Sequence, residues 1–227
     1  MKADASQRSM SQSTPGAITK QLLIAAGEHL FGLRGLDATS LREIAAVAGQ
    51  SNSNVVQYHF GGKAGLIQAI LVSRAIQLEA VRAESLQQLN KGGAGSPREL
   101  LKILWSPNLT VRDERGCHIF CHFLLQYMIY PDSVQKPLSG FNQECESPAA
   151  FFQECSALAT ATRQLRDCYA QVPDEVFNFR MPALTMMFLS TVVEYDKVRL
   201  YRKHNNNIPD SFDIEPVLDM AIAALGA

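Results

Sequence analysis

Two short stretches hold the side chains whose types and spacing suit chemistry. The first is Ser51, Asn52, Ser53, Asn54 and Gln57, followed by Tyr58, His59 and, past Gly61-Gly62, Lys63. Asparagine and glutamine amides pair with adenine edges in a major groove, while serine, tyrosine and lysine reach phosphates and sugars. That chemistry is nucleic-acid recognition. The second stretch is Cys117-His118-Ile119-Phe120-Cys121-His122, where two thiols and two imidazoles each repeat after one helical turn. Such groups can contribute to a zinc or copper site. No CxxC or carboxylate cluster completes a ligand set, and buried cysteine and histidine commonly pack as core. No bound metal and no cofactor are therefore expected, with metal or thiol sensing kept as an alternative input. GxSxG, HExxH, phosphate-loop and dinucleotide signatures are absent, so the sequence reads as a non-enzyme.

These side chains need elements to hold them, and the apolar spacing supplies helices. Leu22, Ala26, Leu30 and Leu33 keep one face of a first helix, which Gly35 stops. Ser40 and Glu43 have the spacing of a capping box, and Leu41, Ile44, Ala45 and Ala48 give the stripe of a short second helix. Gly49 ends it, and Ser51 is placed to cap a third helix ending near Phe60. The small Ala45, Ala46 and Ala48 let these two helices meet closely, the geometry that sets a second helix into the major groove.

A long helix is expected from Lys63 towards Asn90, then a KGGAGSP linker whose Ser96-Pro97-Arg98-Glu99 restarts a helix. Further helices are expected at 97–105, 112–130, 148–171, 174–203 and 214–225, with Pro182 in the first turns of its helix or at a kink. The sequence thus predicts an all-α fold. Residues 1–16 read as a polar disordered arm, 17–62 as a three-helix DNA-binding domain and 63–227 as a larger effector-binding and dimerisation domain.

The 227-residue chain is 47% hydrophobic with a formal net charge of −1. Residues 1–70 carry +2 and the remainder −3, so DNA binding has to come from a local patch. No signal peptide and no bilayer-length uncharged run is read, and five cysteines without an export signal suit reduced thiols in a cytoplasmic protein.

The stretch LFGLRGLDATSLREIAAVAGQSNSNVVQYHFGGKAGLIQAIL, within residues 17–71, resembles the DNA-binding region of the TetR family of transcriptional regulators. The resemblance rests on Leu30-Phe31, Gly35, Thr39-Ser40, Ile44-Ala45, Ala48-Gly49, Tyr58-His59-Phe60, Gly62 and Lys63. The segment between Gly49 and Phe60 is one residue longer than in most relatives. The resemblance implies Thr39, Ser40 and Arg42 near backbone phosphates. It places Ser51, Asn52, Ser53, Asn54 and Gln57 at the groove, Tyr58 and His59 on the sugar-phosphate backbone, and Lys63 on a phosphate. It further implies a homodimeric repressor on double-stranded palindromic DNA, released by a small molecule.

For the body, Trp105, Phe120, Phe123, Tyr127, Phe151, Phe152, Met186, Met187 and Tyr195 are the candidate effector-pocket residues. As a set they suit an apolar or aromatic effector better than an anionic one. Two apolar stripes are the expected dimer surface: Met181, Leu184, Phe188, Val192, Tyr195 and Val198, then Val217, Met220, Ala221 and Leu225.

Overall fold

The computed structural model describes residues 14–129, 155–201, 209 and 211–226. Among them every regular element is a helix: α1 (Pro15–Arg34), α2 (Leu41–Val47), α3 (Val55–Phe60), α4 (Lys63–Gly92), α5 (Pro97–Trp105), a 3-10 turn (Ser106–Thr110), α6 (Ile119–Ile129), α7 (Ser156–Cys168), α8 (Asp174–Tyr201) and α9 (Glu215–Gly226).

The helix ends follow local chemistry. Thr14 caps α1 with Pro15 in its first turn, so Pro15 and Gly16, expected in the arm, are helical. Gly35 ends α1 at φ 88°, its N–H donating to the Phe31 carbonyl. Ser40–Glu43 and Ser96–Glu99 both form complete capping boxes. Helix α6 starts seven residues later than the expected 112, because Asp113 Oδ1 accepts from the Arg115 and Cys117 N–H groups and Gly116 turns at φ 76°. Helix α7 stops at Cys168, where Arg166 donates to the Tyr169 and Val172 carbonyls and folds the chain into a turn. The expected start of that helix at 148 falls outside the described residues. Pro182 is the ninth residue of α8, beyond the first turns.

Two apolar clusters organise the protein. The head cluster joins Leu23, Phe31, Ile44 and Val56 of α1–α3 to Leu66 and Ile70 of α4 and to Phe120 and Phe123 of α6. The body cluster joins Leu100 and Leu101, Trp105, Leu165, Phe188, Val192 and Leu218, with the Trp105 and Phe188 rings stacked at 5.0 Å. Helix α4 serves both: Leu66, Ile67 and Ile70 face the head, while Leu78, Glu79, Arg82 and Leu86 are buried further along. Helices α4 and α8 have the length and composition of bilayer spans, yet they bury Glu79, Arg82 and Asp196, charged groups held here by protein contacts.

The stripe expected to form a dimer surface lies inside the chain. Leu184, Phe188, Val192, Val217, Ala221 and Leu225 are buried in the body core, leaving Met220 exposed and Met181 and Val198 half-buried. The reason is that α8 first has to cover α6 and α9, and α9 has to cover α5, which consumes their most apolar faces.

Candidate DNA-binding surface

Helix α2, the turn after it and α3 form the surface. Gly49 at φ 70° releases the chain from α2, a backbone conformation costly for residues with a Cβ. The chain then takes a turn through Ser51–Asn54 in place of the helix start expected there. Asn52 Oδ1 accepts from the Asn54 N–H at 2.9 Å, an Asx turn. Asn54 is the N-cap of α3 and makes no side-chain cap bond, so its amide faces outward. Ser51 is not the cap, because the extra turn residues separate it from Val55. Val55 and Val56 anchor α3 in the head core, and Gln57 and Tyr58 lie on its exposed side, Tyr58 at 84% exposure. His59 is half-buried, with its ring edge against Tyr58 at 4.9 Å. A six-residue helix presenting Asn54, Gln57 and Tyr58 outward is a small reading head.

Its orientation is set by close backbone packing. Gly61 closes α3 at φ 68° and Gly62 opens α4 at φ 121°. A Cβ on Gly65 would lie 1.8 Å from the Phe60 carbonyl oxygen, so only glycine lets α4 start this close to the end of α3. Glu28 and Arg74 form a two-bond ion pair that ties α1 to α4, with the Glu28 side chain at 2% exposure. A Cβ on Gly32 would meet His122 Cβ and the Phe123 nitrogen at 3.1 Å, so α1 rests directly on α6.

Several expected contact residues have other duties. Thr39 is 1% exposed and its hydroxyl donates to the Gly35 carbonyl at 2.8 Å. It locks the exit of α1 and is not presented to a phosphate, because the α1–α2 loop folds over it. Ser40 is exposed but closed in its capping box, where the Glu43 carboxyl is held below its usual range by the Ser40 N–H and hydroxyl. Arg42 is exposed. Lys63 is half-buried and its ammonium donates to the Leu36 carbonyl at 2.8 Å, which pins the α1–α2 loop and leaves two donors. Ser51, Asn52 and Ser53 are exposed on the turn before α3.

In the Cys117–His122 segment the two histidines converge on a carboxylate of α8. His118 Nδ1 and His122 Nε2 both meet the Asp196 carboxylate, at 2.9 and 3.0 Å, and the His118 backbone N–H donates to it at 2.7 Å. Burial pushes the Asp196 carboxyl up, and these hydrogen bonds more than reverse that, holding it well below the usual range. The Cys121 thiol donates to the Asn108 carbonyl, and burial pushes its pKa far up, so it stays protonated. Among the described residues no set of three or more His, Cys, Asp or Glu side chains is arranged to hold a metal. Cys117 and His118 lie just before α6 and only Cys121 and His122 are within it, and the two histidines meet an α8 carboxylate that no local pattern announces.

The candidate effector residues are dispersed. Phe120 and Phe123 support the head, Trp105 is stacked in the body core, and Tyr127, Met186, Met187 and Tyr195 are half-buried. Phe151 and Phe152 lie outside the described residues. An open surface groove of about 450 Å³ lies between α4 and α7, lined by Ala83, Leu86, Gln87, Asn90, Lys91, Ser156, Ala157 and Thr160, most of them exposed.

The structure thus sets a helix-turn-helix head on an all-helical body. Residues 23–70 match the family model of bacterial regulatory proteins, tetR family. The match covers the helix-turn-helix head and the start of α4. A TetR family transcription regulator from Marinobacter aquaeolei VT8 shares the fold at 14% identity, covering 91% of this chain and 95% of that one with a TM-score of 0.52. The ketosteroid transcriptional regulator KstR2 of Mycobacterium tuberculosis is 18% identical, with 91% and 93% covered and a TM-score of 0.39. No curated protein sequence matches the chain.

Proposed function

We propose that this regulator is a cytoplasmic homodimeric repressor that leaves a palindromic operator when its body binds a small molecule. The observation that carries the reading is the outward face of α3, where the side-chain amides of Asn54 and Gln57 are exposed and make no hydrogen bond to the described residues, beside the exposed Tyr58. The two amides read base edges. Arg42 and Tyr58 hold the backbone, and Lys63 positions the loop while offering its remaining donors to a phosphate. Ser40 and His59 lie at the edge of that footprint, with Ser51, Asn52 and Ser53 along the turn that enters the groove.

A dimer places two such heads on half-sites related by the protein's own two-fold axis, hence the palindrome. The surface available for it is the outer face of α8 and α9, where Phe179 is 78% and Met220 50% exposed, with Ala183 and Ala223 exposed beside them. A small effector with an apolar or aromatic body acts by binding the DNA-incompetent arrangement more tightly.

Genome-wide mapping of bound DNA, followed by gel shifts of the recovered fragment across a salt series, tests the reading. A palindromic site bound with a steep salt dependence is expected. Sequence-independent binding, or a monomer that binds the fragment at full affinity, overturns it.

A further inference from the structure

One carboxylate ties α6 to α8. Asp196 is fully buried and accepts three hydrogen bonds from the start and first turn of α6. They come from the His118 backbone N–H at 2.7 Å, His118 Nδ1 at 2.9 Å and His122 Nε2 at 3.0 Å. Because a backbone N–H takes part, the carboxylate holds α6 along its axis as well as around it. The His118 ring has no other polar partner among the described residues: its Nε2 is buried without one, and the Tyr195 and Phe212 rings lie beside it at 6.2 and 6.4 Å. Apolar packing is non-directional, whereas hydrogen bonds to a charged acceptor are short and geometrically specific. The register of α6 on α8 thus depends on Asp196.

The same His122 supports the DNA-binding head. A Cβ on Gly32 would meet His122 Cβ and the Phe123 nitrogen at 3.1 Å, so the end of α1 rests on α6 at the point where the His122 side chain leaves it. Phe123, the next residue, packs on Phe31 of α1 with ring centroids 6.3 Å apart. The middle of α1 has a separate tie to α4, where Arg74 Nε donates to Glu28 Oε1 at 2.7 Å. Helix α1 is therefore held at two places, and the head cluster carries α2 and α3 with it. Moving α6 on α8 shifts the second support alone and turns the head about the first.

We propose that Asp196 is a positioning residue for DNA binding: through His118 and His122 it sets where α6 supports α1, and so fixes the placement of the two reading heads of a dimer. This rests on the dimeric reading above, in which α8 contributes to the interface. The exposed Phe179 of that surface and the buried Asp196 belong to one helix. Two-fold axis, α8, carboxylate, α6 and α1 then form one line of support from each head to the other. DNA is a sensitive gauge of that placement, because each base pair added between half-sites turns one against the other by about a tenth of a helical turn. Asp196 acts on operator binding without touching DNA.

The test uses the full chain and its recovered operator, prepared with base pairs added or removed between the half-sites. Wild type is expected to prefer one spacing. His122→Leu removes one bond and leaves Asp196 both of those from His118. It should cut the discrimination between the preferred spacing and its neighbours by about fivefold or more, with the base preference inside each half-site unchanged. His122→Gln, whose amide N–H stands near the place of Nε2, should restore wild-type discrimination. Gly32→Ala, whose methyl pushes α1 off the same support, should also shift or flatten the spacing preference. Equal weakening on every spacing makes the knot a structural tie only and overturns the proposal. So does a wild-type spacing preference in His122→Leu, or a His122→Gln that behaves like His122→Leu. If thermal unfolding shows that His122→Leu does not fold, Gly32→Ala decides, and a wild-type spacing preference there overturns the proposal. A wild-type protein that binds a lone half-site as tightly as the whole operator overturns the dimeric reading itself, and this inference with it, before any variant is compared.

Discussion

Head and body keep their polar groups satisfied over very different distances along the chain. In the head, Thr39 bonds a carbonyl four residues back, Ser40 and Glu43 close a box three residues wide, and Lys63 reaches 27 residues to Leu36. In the body, Glu79 to Ala157 and His118 to Asp196 each span 78 residues, and Arg98 to Glu215 spans 117. Short-range bonds are encoded by neighbouring residue types, so they can be read directly. Long-range bonds exist only after packing has chosen which helices meet. The head is thus specified locally and the body collectively.

The sharpest way to break that contrast is Gly65→Ala. The added methyl would sit 1.8 Å from a backbone oxygen, which no side-chain rotation relieves, so a loss of about 3 kcal/mol or more is expected. Thermal unfolding together with operator binding checks it; an unchanged melting temperature would mean that the α3–α4 junction is not rigid.

Asp196→Asn attacks the body at a buried long-range polar knot. Leaving two histidines facing an amide should cost about 3 kcal/mol at neutral pH. Because the folded carboxyl titrates lower than an unfolded aspartate, its contribution is complete above the unfolded value of about 3.9 and drains away as the pH falls below it. Wild type should therefore lose stability relative to the variant on acidification, the gap narrowing towards pH 3. Calorimetry over that range decides, and a constant gap would show that the charge on Asp196 is irrelevant.

Gln57→Ala and Asn54→Ala, each removing an outward amide, should cost about 1–3 kcal/mol of operator affinity and relax the base preference. Binding-site selection checks this: if both variants keep the wild-type sequence preference, α3 does not read through these side chains. The smallest effect is expected of Lys63→Met, which loses one charge-assisted bond to the Leu36 carbonyl, about 1 kcal/mol of stability, with the preferred operator sequence unchanged. A changed preference would make Lys63 a reader and blur the line between holding and reading.

The legibility of the sequence follows the same division. The first two helices, the Ser40–Glu43 capping box, the helix start at Ser96-Pro97, the turn at Gly49 and the all-helical class were visible, because capping and amphipathic spacing are local signals. Thr39 was assigned to phosphate because a hydroxyl beside Ser40 looks the same in sequence whether it faces solvent or an α1 carbonyl. Ser51 was given the cap of α3 because an Asx turn and an N-cap draw on the same residue types. The dimer stripe was misplaced because Phe188, Val192 and Leu225 are apolar enough for either an interface or a core. The missed signal in the body was Arg82: an arginine four residues from the aliphatic Leu78 and Leu86 on either side, a cation set into the middle of a buried stripe.

Helix α6 gives residues to both sides of this contrast, Phe120 and Phe123 to the head cluster and Cys121 to the body cluster. The DNA-binding unit is for that reason not a detachable module. A fragment ending at Phe60 would leave Phe31 without Phe123, and Gly32 facing water where the α6 backbone belongs. Grafting this head onto another regulator's body would succeed only if the recipient supplied an equivalent sixth helix, so reading face and sixth helix have to be inherited together.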